Sequence, residues 1–386
     1  MSEHQVPPGK VWLNSDEPSD EYKMYGTTPV PKKKPGVVRI WVDGCFDMLH
    51  FGHTNAIRQA LALGHELFVG CHSNEEIQAY KYSNPIMNAE ERYEALRACK
   101  WVTYVVENYP YVTRLKDLER FEVDYVAHGD DISTDLHGNN SYQAIIDAGK
   151  FKVFKRTEGI STTDLVGRML LCTKQHYKGP EDFDVASAAP ESALRQFPTT
   201  SRKIVQFSNN CTPKPDDKVV YVDGAFDLFH IGHMRVLERA RKFGTYLIVG
   251  IHEDAVVNKE KGLNYPIMNL NERVLGVLSC RHVDEVVMGV PYAVTNEIID
   301  GLGVSVVVAG KFRDSIDGAP DPYQIPKERG IFQEVESESD LTTEKVISRV
   351  LEHRKQLLER QAKKIVKDEK AKASKPAEYQ NVREVA

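Results

Sequence analysis

His50-Phe51-Gly52-His53 places two imidazoles three residues apart with a glycine between them. At that spacing the side chains share one face of a helix, and the glycine lets a ligand approach the backbone. Imidazoles so held can donate hydrogen bonds to phosphoryl oxygens and offset the charge that develops when a phosphate bond is exchanged. The residues alone leave two other readings open, a zinc pair and a purely structural cap, although no third carboxylate or cysteine stands at a zinc spacing. Further on, Arg156-Thr157-Glu158-Gly159-Ile160-Ser161-Thr162-Thr163 offers a guanidinium and hydroxyls ahead of an apolar helical pattern, a second cradle for polyphosphate. An ordinary Ser/Thr N-cap would account for Ser161 or Thr162 but not for the whole phrase. Lys81, in a loop expected ahead of Pro85, is a further positive charge that on its own reads as a surface lysine.

The elements that must position these groups follow from periodicity. Val37–Val42 reads as a buried strand, Asp43–His53 as a glycine-bearing loop, and a helix opens just after the two histidines. Such a junction gathers backbone N–H groups and the positive end of a helix dipole at one spot. Strands are expected at Glu66–Gly70, Trp101–Val106, Asp124–Ala127 and Phe151–Phe154, with helices at Thr54–Gly64, at Ala89–Lys100 and from Thr163. Strands alternating with helices predict an α/β fold, a Rossmann-like parallel sheet that binds ligands beyond the carboxyl ends of its strands.

The whole pattern occurs twice. Val222-Asp223-Gly224-Ala225-Phe226-Asp227-Leu228-Phe229-His230-Ile231-Gly232-His233 repeats Val42–His53, His230 standing 180 residues after His50. Pro266-Ile267-Met268-Asn269 repeats Pro85-Ile86-Met87-Asn88, Glu272-Arg273 repeats Glu91-Arg92, His252 repeats His72, and Tyr323-Gln324 repeats Tyr142-Gln143. An offset of 180 or 181 held over so long a stretch predicts a tandem duplication of one domain. The expected layout is a polar tail (1–35), a first domain (36–175), a linker (176–217) in which Ile204–Phe207 adds a docking strand, a second domain (218–352) and a charged helical tail (353–386).

Bulk properties narrow the partners. A net charge of −6 supplies no global basic field for nucleic acid or anionic lipid, so any phosphate chemistry rests on local charge. The six cysteines form no C-x-x-C and several fall in apolar segments, which suits a reducing, cytoplasmic setting. No apolar run has the length of a transmembrane segment.

Together, Asp43–His53, Glu91-Arg92-Tyr93 and Arg156–Thr163 resemble the cytidylyltransferase family of nucleotidyltransferases, over both repeats. The tandem arrangement resembles the branch acting on phosphoethanolamine, whereas the choline-phosphate branch pairs one catalytic domain with a long membrane-binding helix that is missing here. The resemblance implies that CTP and phosphoethanolamine give CDP-ethanolamine and pyrophosphate, in phosphatidylethanolamine synthesis. Choline phosphate or glycerol 3-phosphate is the alternative substrate, and a nucleotide-binding scaffold without activity is the rival of another class. His230-Ile231-Gly232-His233 also spells the HIGH signature of class I aminoacyl-tRNA synthetases, but their lysine-rich KMSKS loop is not evident. Carried over residue by residue, the resemblance implies that His50, His53, Lys81 and Arg156 act on the phosphates. Gly44, Phe46, Gly52, Gly129, Asp130, Ser161, Thr162 and Thr163 would hold CTP, and Asp43 the substrate ammonium. Mg²⁺ would accompany CTP rather than occupy a protein cage. The pathway suggests a location peripheral to the endoplasmic reticulum, and the resemblance admits a homodimer.

The second copy is not equivalent. It keeps His230, His233, Lys261, Thr342 and Thr343, but Glu336 stands for Arg156, Leu341 for Ser161 and Lys311 for Asp130. A carboxylate in place of a guanidinium opposes triphosphate binding. The expectation is a catalytic first domain and a degenerate second one. The second would retain a nucleotide pocket built from Val222, Asp223, His230, Ile231, Gly232, His233, Lys261, Gly310, Lys311, Ser339, Asp340, Leu341, Thr342 and Thr343.

Overall fold

Strands whose residues are apolar on both faces belong in the middle of a parallel sheet covered by helices. Arg39–Gly44 (β1) and Glu66–His72 (β2) are such strands, buried over nearly their whole length. With Tyr104–Tyr109 (β3), Tyr125–Gly129 (β4) and Phe151–Phe154 (β5) they form a sheet in the order β3-β2-β1-β4-β5, parallel throughout. The strand order reverses beside β1, so the crevice at the carboxyl ends of β1 and β4 is where a ligand belongs. The computed structural model describes residues 32–81, 84–131, 134, 139–171, 201–312, 320–353 and 382–385.

The second repeat builds the same sheet. Val219–Gly224 (β6), Tyr246–His252 (β7), Glu285–Val290 (β8), Val304–Gly310 (β9) and Phe332–Val335 (β10) pair as β8-β7-β6-β9-β10, again all parallel. Even the register repeats: Val42 lies opposite Val69, and Val222 opposite Val249. The expectation of two Rossmann-like α/β domains in tandem is met.

In the first repeat the strands alternate with helices at Phe51–Leu61 (α1), Asn74–Lys81 (α2), Ala89–Ala98 (α3), Leu115–Arg120 (α4) and Gln143–Asp147 (α5). Ile40, Val42, Leu67 and Val69 pack under Ile57, Tyr93 and Leu96 on one side, and Trp41, Phe68, Tyr104 and Phe121 cluster on the other. Each such side chain contributes about 1.5–3 kcal/mol when fully buried. Trp41 is so close to β2 that a Cβ on Gly70 would meet its ring at 2.6 Å, which is why glycine stands there.

The described residues divide into two compact units, one drawn from 1–158 with 352–386 and the other from 159–351. The helix Thr162–Leu171 (α6) therefore lies in the second unit, whereas the sequence reading assigns it to the first domain. It is held there by Arg168, whose guanidinium pairs with Glu272 at 2.6 and 2.8 Å and donates to the Ile267 carbonyl.

Several sequence expectations need correction. Ser201–Phe207 (α7) is a helix, not a docking strand: Lys203 and Phe207, four apart, turn one buried face. Lys81 closes α2 instead of sitting in a loop, and α1 opens at Phe51, between the histidines rather than after them. The helices α4 and α5 are too short for periodicity to reveal. Most of the polar tail, residues 172–200 (the end of the expected first domain and much of the expected linker) and the charged stretch 354–381 lie outside the described residues. Among the described residues, no helix is long and apolar enough to cross a membrane.

Candidate active site

The two histidines are built into the start of α1. His50 is the N-cap, with extended backbone, and its Nδ1 accepts from the Gly52 amide at 3.2 Å. His53 Nδ1 accepts in turn from the His50 amide at 3.5 Å. The result is a capping box made of imidazoles, with the rings stacked at 3.9 Å between centroids. This geometry sets the tautomer. A ring that accepts at Nδ1 is neutral and carries its proton on Nε2, so both histidines present N–H donors from the other edge. The structural-cap reading and the phosphate reading thus use different nitrogens of the same rings. The second repeat copies the arrangement at His230 and His233, again 3.9 Å apart. Burial pushes His230 down to about 3, and burial with the neighbouring His230 holds His233 well below the ordinary imidazole range.

The loop between β1 and α1 is strained. Phe46 and Met48 adopt left-handed φ of 49° and 47°, matched by Phe226 and Leu228 at 51° and 49°. Non-glycine residues in that region cost about 1–3 kcal/mol each and persist only when surrounding contacts hold them. Asp47, between them, supplies the hold: its carboxylate accepts from the Ile86 and Met87 amides at 3.0 and 2.8 Å. Asp227 does the same for Ile267 and Met268 at 2.6 and 2.9 Å. The loop thereby packs Phe46 over Gly44 and edge-on to His53.

Sequence comparison treats Pro85–Asn88 and Glu91-Arg92 as marks of duplication; their roles are now visible. Asn88 and Glu91 form the capping box of α3. Arg92, buried, donates to the Cys45 and His72 carbonyls at 2.8 and 2.9 Å and to Asn74 at 2.8 Å, tying the β1 loop to the end of β2. Arg273 makes the equivalent ties to Ala225, His252 and Asp254. These residues brace the loop that leads into the histidines.

Asp43, at the tip of β1, accepts from Tyr142 Oη at 2.5 Å, from Trp41 Nε1 at 3.0 Å and from Thr113 Oγ1. A carboxylate has about four acceptor positions, so the three donors orient Asp43 and leave capacity for one more. Tyr142, Thr113 and Trp41 escape a sequence reading, although the match of Tyr142-Gln143 to Tyr323-Gln324 hinted at the first. In the second repeat Tyr323 still donates to Asp223 at 2.7 Å, but Asp223 Oδ2 and Tyr221 Oη have no hydrogen-bond partner among the described residues. His72 lies nearby and is pushed down to about 4, by burial first and with Lys81 adding to it against the field of Asp43. That places Lys81 within electrostatic reach of this end of the sheet.

At the end of β4 a Cβ on Gly129 would meet the Asp131 carboxylate at 2.7 Å, a contact that Asp131 could relieve only by turning away from its present position. Arg156 pairs with Asp131 at 2.7 Å, while its amide donates to Asp130 at 2.9 Å. Burial raises the Asp131 carboxyl, but His128 and Arg156 outweigh it and hold the group below the ordinary range. Asp130 is thus a backbone clamp for the Arg156 segment. Ser161 caps α6, accepting from the Asp164 amide at 3.1 Å, and with Thr162 and Thr163 it belongs to the second unit.

In the second repeat the two sequence phrases do meet. A Cβ on Gly232 would lie 2.6 Å from the Leu341 carbonyl, and Thr343 Oγ1 donates to the Asp227 carbonyl at 3.1 Å. Ser339 Oγ accepts from the Leu341 amide at 3.2 Å, Asp340 pairs with Lys345 at 2.8 Å, and Thr342 Oγ1 accepts from the Lys345 amide at 3.3 Å. Lys261, whose field lowers both histidines, pairs with Glu344 at 3.0 Å. At the end of β9, beyond Gly310, Lys311 pairs with Glu336 at 3.2 Å.

Comparison with known proteins agrees with this duplicated geometry. A family model for cytidylyltransferase-like domains matches residues 41–168 and 221–366. Ethanolamine-phosphate cytidylyltransferase of Dictyostelium discoideum is 48% identical, covering 87% of this chain and 96% of that protein. The protein of the same name from Mus musculus is 43% identical over 87% of this chain and 92% of its own, and that from Arabidopsis thaliana 42% over 88% and 86%. A choline-phosphate cytidylyltransferase of Arabidopsis thaliana, 40% identical, covers only 39% of this chain. The chain belongs to the cytidylyltransferase-like family, as a tandem member of its ethanolamine-phosphate cytidylyltransferase branch.

Proposed function

We propose that the first repeat transfers the cytidylyl group of CTP to phosphoethanolamine, giving CDP-ethanolamine and pyrophosphate for phosphatidylethanolamine synthesis. The observation that carries this reading is the imidazole capping box, which fixes two neutral rings with Nε2–H donors at a helix N-terminus. A phosphate oxygen of phosphoethanolamine attacks the α-phosphorus of CTP in line; the new P–O bond forms as the bond to the pyrophosphate oxygen breaks, and pyrophosphate takes that electron pair. No covalent enzyme intermediate is needed, so catalysis comes from positioning and charge stabilisation. In this proposal His50 and His53 donate to the CTP phosphates, Lys81 and Arg156 offset negative charge, and Asp43 takes the substrate ammonium. Gly44, Phe46, Gly52 and Gly129 shape the space beside the nucleotide. The parts assigned to Ser161, Thr162 and Thr163 rest on the sequence phrase.

Among the described residues no three His, Cys, Asp or Glu side chains converge as a metal site. Mg²⁺ in this proposal arrives on the CTP phosphates, where it neutralises charge.

The second repeat, in the same proposal, holds a cytidine nucleotide without turning it over. The ion pair Lys311–Glu336 supports this, because it sets a carboxylate on the segment after β10, where the first repeat carries Lys155 and Arg156 after β5. Pyrophosphate release measured with CTP and a panel of phosphoethanolamine, choline phosphate and glycerol 3-phosphate tests the assignment. Phosphoethanolamine should be used at least about tenfold better in kcat/KM, and no release with it would refute the reading.

A further inference from the structure

Asn55, Arg58 and Gln59 are buried polar side chains on α1, the helix that His50 caps. They face two segments at once. Asn55 Nδ2 donates to Thr157 Oγ1 at 2.9 Å, and Gln59 Nε2 to the Lys155 carbonyl at 2.9 Å, so together they grip the residues on either side of Arg156. Arg58 Nε donates to Asn55 Oδ1 at 3.1 Å, and further contacts go to Glu384 and Val385. Asn55 Nδ2 and Arg58 Nη2 donate to Glu384 Oε1 at 3.0 and 3.1 Å, and Arg58 Nη2 also to the Val385 carbonyl at 2.9 Å. The Val385 amide donates to Gln59 Oε1 at 3.0 Å, and its side chain packs on the core of the first sheet.

Among the described residues, the second repeat meets the same need from its own helix. Its matching helix, Ile231–Ala240, carries Arg235 and Arg239 at the positions of Asn55 and Gln59. These longer side chains reach the matching segment themselves, Arg235 at the Glu338 carbonyl at 2.7 Å and Arg239 at the Glu336 carbonyl. The shorter amides of the first repeat are oriented by Glu384 and Val385.

We propose that Val382–Val385 is a positioning strap for Arg156. It fixes the Asn55 and Gln59 amides, these fix Lys155 and Thr157, and the guanidinium between them is thereby aimed for the nucleotide phosphates. The inference rests on the reading that Arg156 serves CTP. Being exerted through other side chains, the effect is one of positioning: it alters how the chain uses CTP and leaves its hold on phosphoethanolamine unchanged.

The test compares the full chain with one lacking residues 382–386 and with the variants Glu384→Ala and Glu384→Gln. Two readouts are needed: separate KM values for CTP and phosphoethanolamine, and hydrogen exchange of the Arg156 and Thr157 amides in the ligand-free protein. The shortened chain and Glu384→Ala should raise KM for CTP about tenfold and leave KM for phosphoethanolamine within about twofold. Glu384→Gln keeps an acceptor oxygen and should recover most of the loss, as should a synthetic peptide of residues 382–386 added to the shortened chain. Exchange at Arg156 and Thr157 should quicken in the shortened chain. An unchanged KM for CTP, or equal shifts in both KM values with a lowered thermal midpoint, would overturn the proposal. If the full chain proves inert toward CTP, the underlying activity fails instead; the exchange measurement then still decides whether the strap holds the segment, unchanged rates refuting it.

Discussion

Lys155 is paired with Asp130 at 3.6 Å where β5 and β4 end, and at the matching place in the second repeat Glu336 is paired with Lys311: the same bridge with its charges exchanged, while Arg156, the next residue of the first repeat, pairs with Asp131. Both lysines reach solvent, so neither bridge contributes much to stability. What differs is which sign stands on the segment after the last strand. A guanidinium there attracts polyphosphate, and a carboxylate repels it.

Arg156→Ala should therefore lower kcat/KM for pyrophosphate release by about 10²-fold, in line with the loss of one charged transition-state partner. Arg156→Lys should recover only part of this, because an ammonium keeps the charge but not the planar fork. Thermal midpoints should stay near that of the unaltered chain, since the side chain is exposed.

Arg92 should behave in the opposite way. Its guanidinium satisfies the Cys45 and His72 carbonyls inside the first repeat. Arg92→Leu leaves those acceptors unpaired at about 1–3 kcal/mol each and frees a loop already strained at Phe46 and Met48. Urea unfolding should show a first-repeat transition destabilised by about 3 kcal/mol or more.

Stability should fall with acid in a defined window. His72 titrates near 4 in the fold, by burial first, against an ordinary value of 6.5. The unfolded chain thus binds more protons between these values, so the contribution is complete above pH 6.5 and is lost as pH falls toward 4. At 1.36 kcal/mol per unit the loss is on the order of 3 kcal/mol. Thermal midpoints followed from pH 7 to 4 should drop more steeply for the unaltered chain than for His72→Gln, and parallel curves would exclude this residue as the cause.

The sheet was legible because its signal is local and repeated: buried strands such as Ile40–Val42 and Leu67–Val69 recur at one offset, and the duplication confirms each reading twice. The histidine junction was legible for the same reason, yet its detail was not. Nothing in His50-Phe51-Gly52-His53 says that each ring would spend Nδ1 on a helix cap, since that depends on where α1 opens. Asp47 and Arg92 were visible only as matched letters because their partners, Met87 and Cys45, lie 40 and 47 residues away. Tyr142 and Thr113 reach Asp43 across 99 and 70 residues, a juxtaposition that only the closed sheet creates. The unit boundary after Glu158 was hidden too, because Arg168 of α6 finds Asn264, Ile267 and Glu272 at 96, 99 and 104 residues' distance along the chain.

The central claim is that the first repeat performs the chemistry and the second does not. Its most direct test is pyrophosphate release from CTP and phosphoethanolamine by two double variants, His50→Ala with His53→Ala, and His230→Ala with His233→Ala, each checked for intact circular dichroism. The first pair should lose about 10³-fold or more in kcat, since two donors to the reacting phosphates are removed, and the second should stay within about threefold of the unaltered chain. Full activity in the first pair, or its loss in the second alone, would contradict the account.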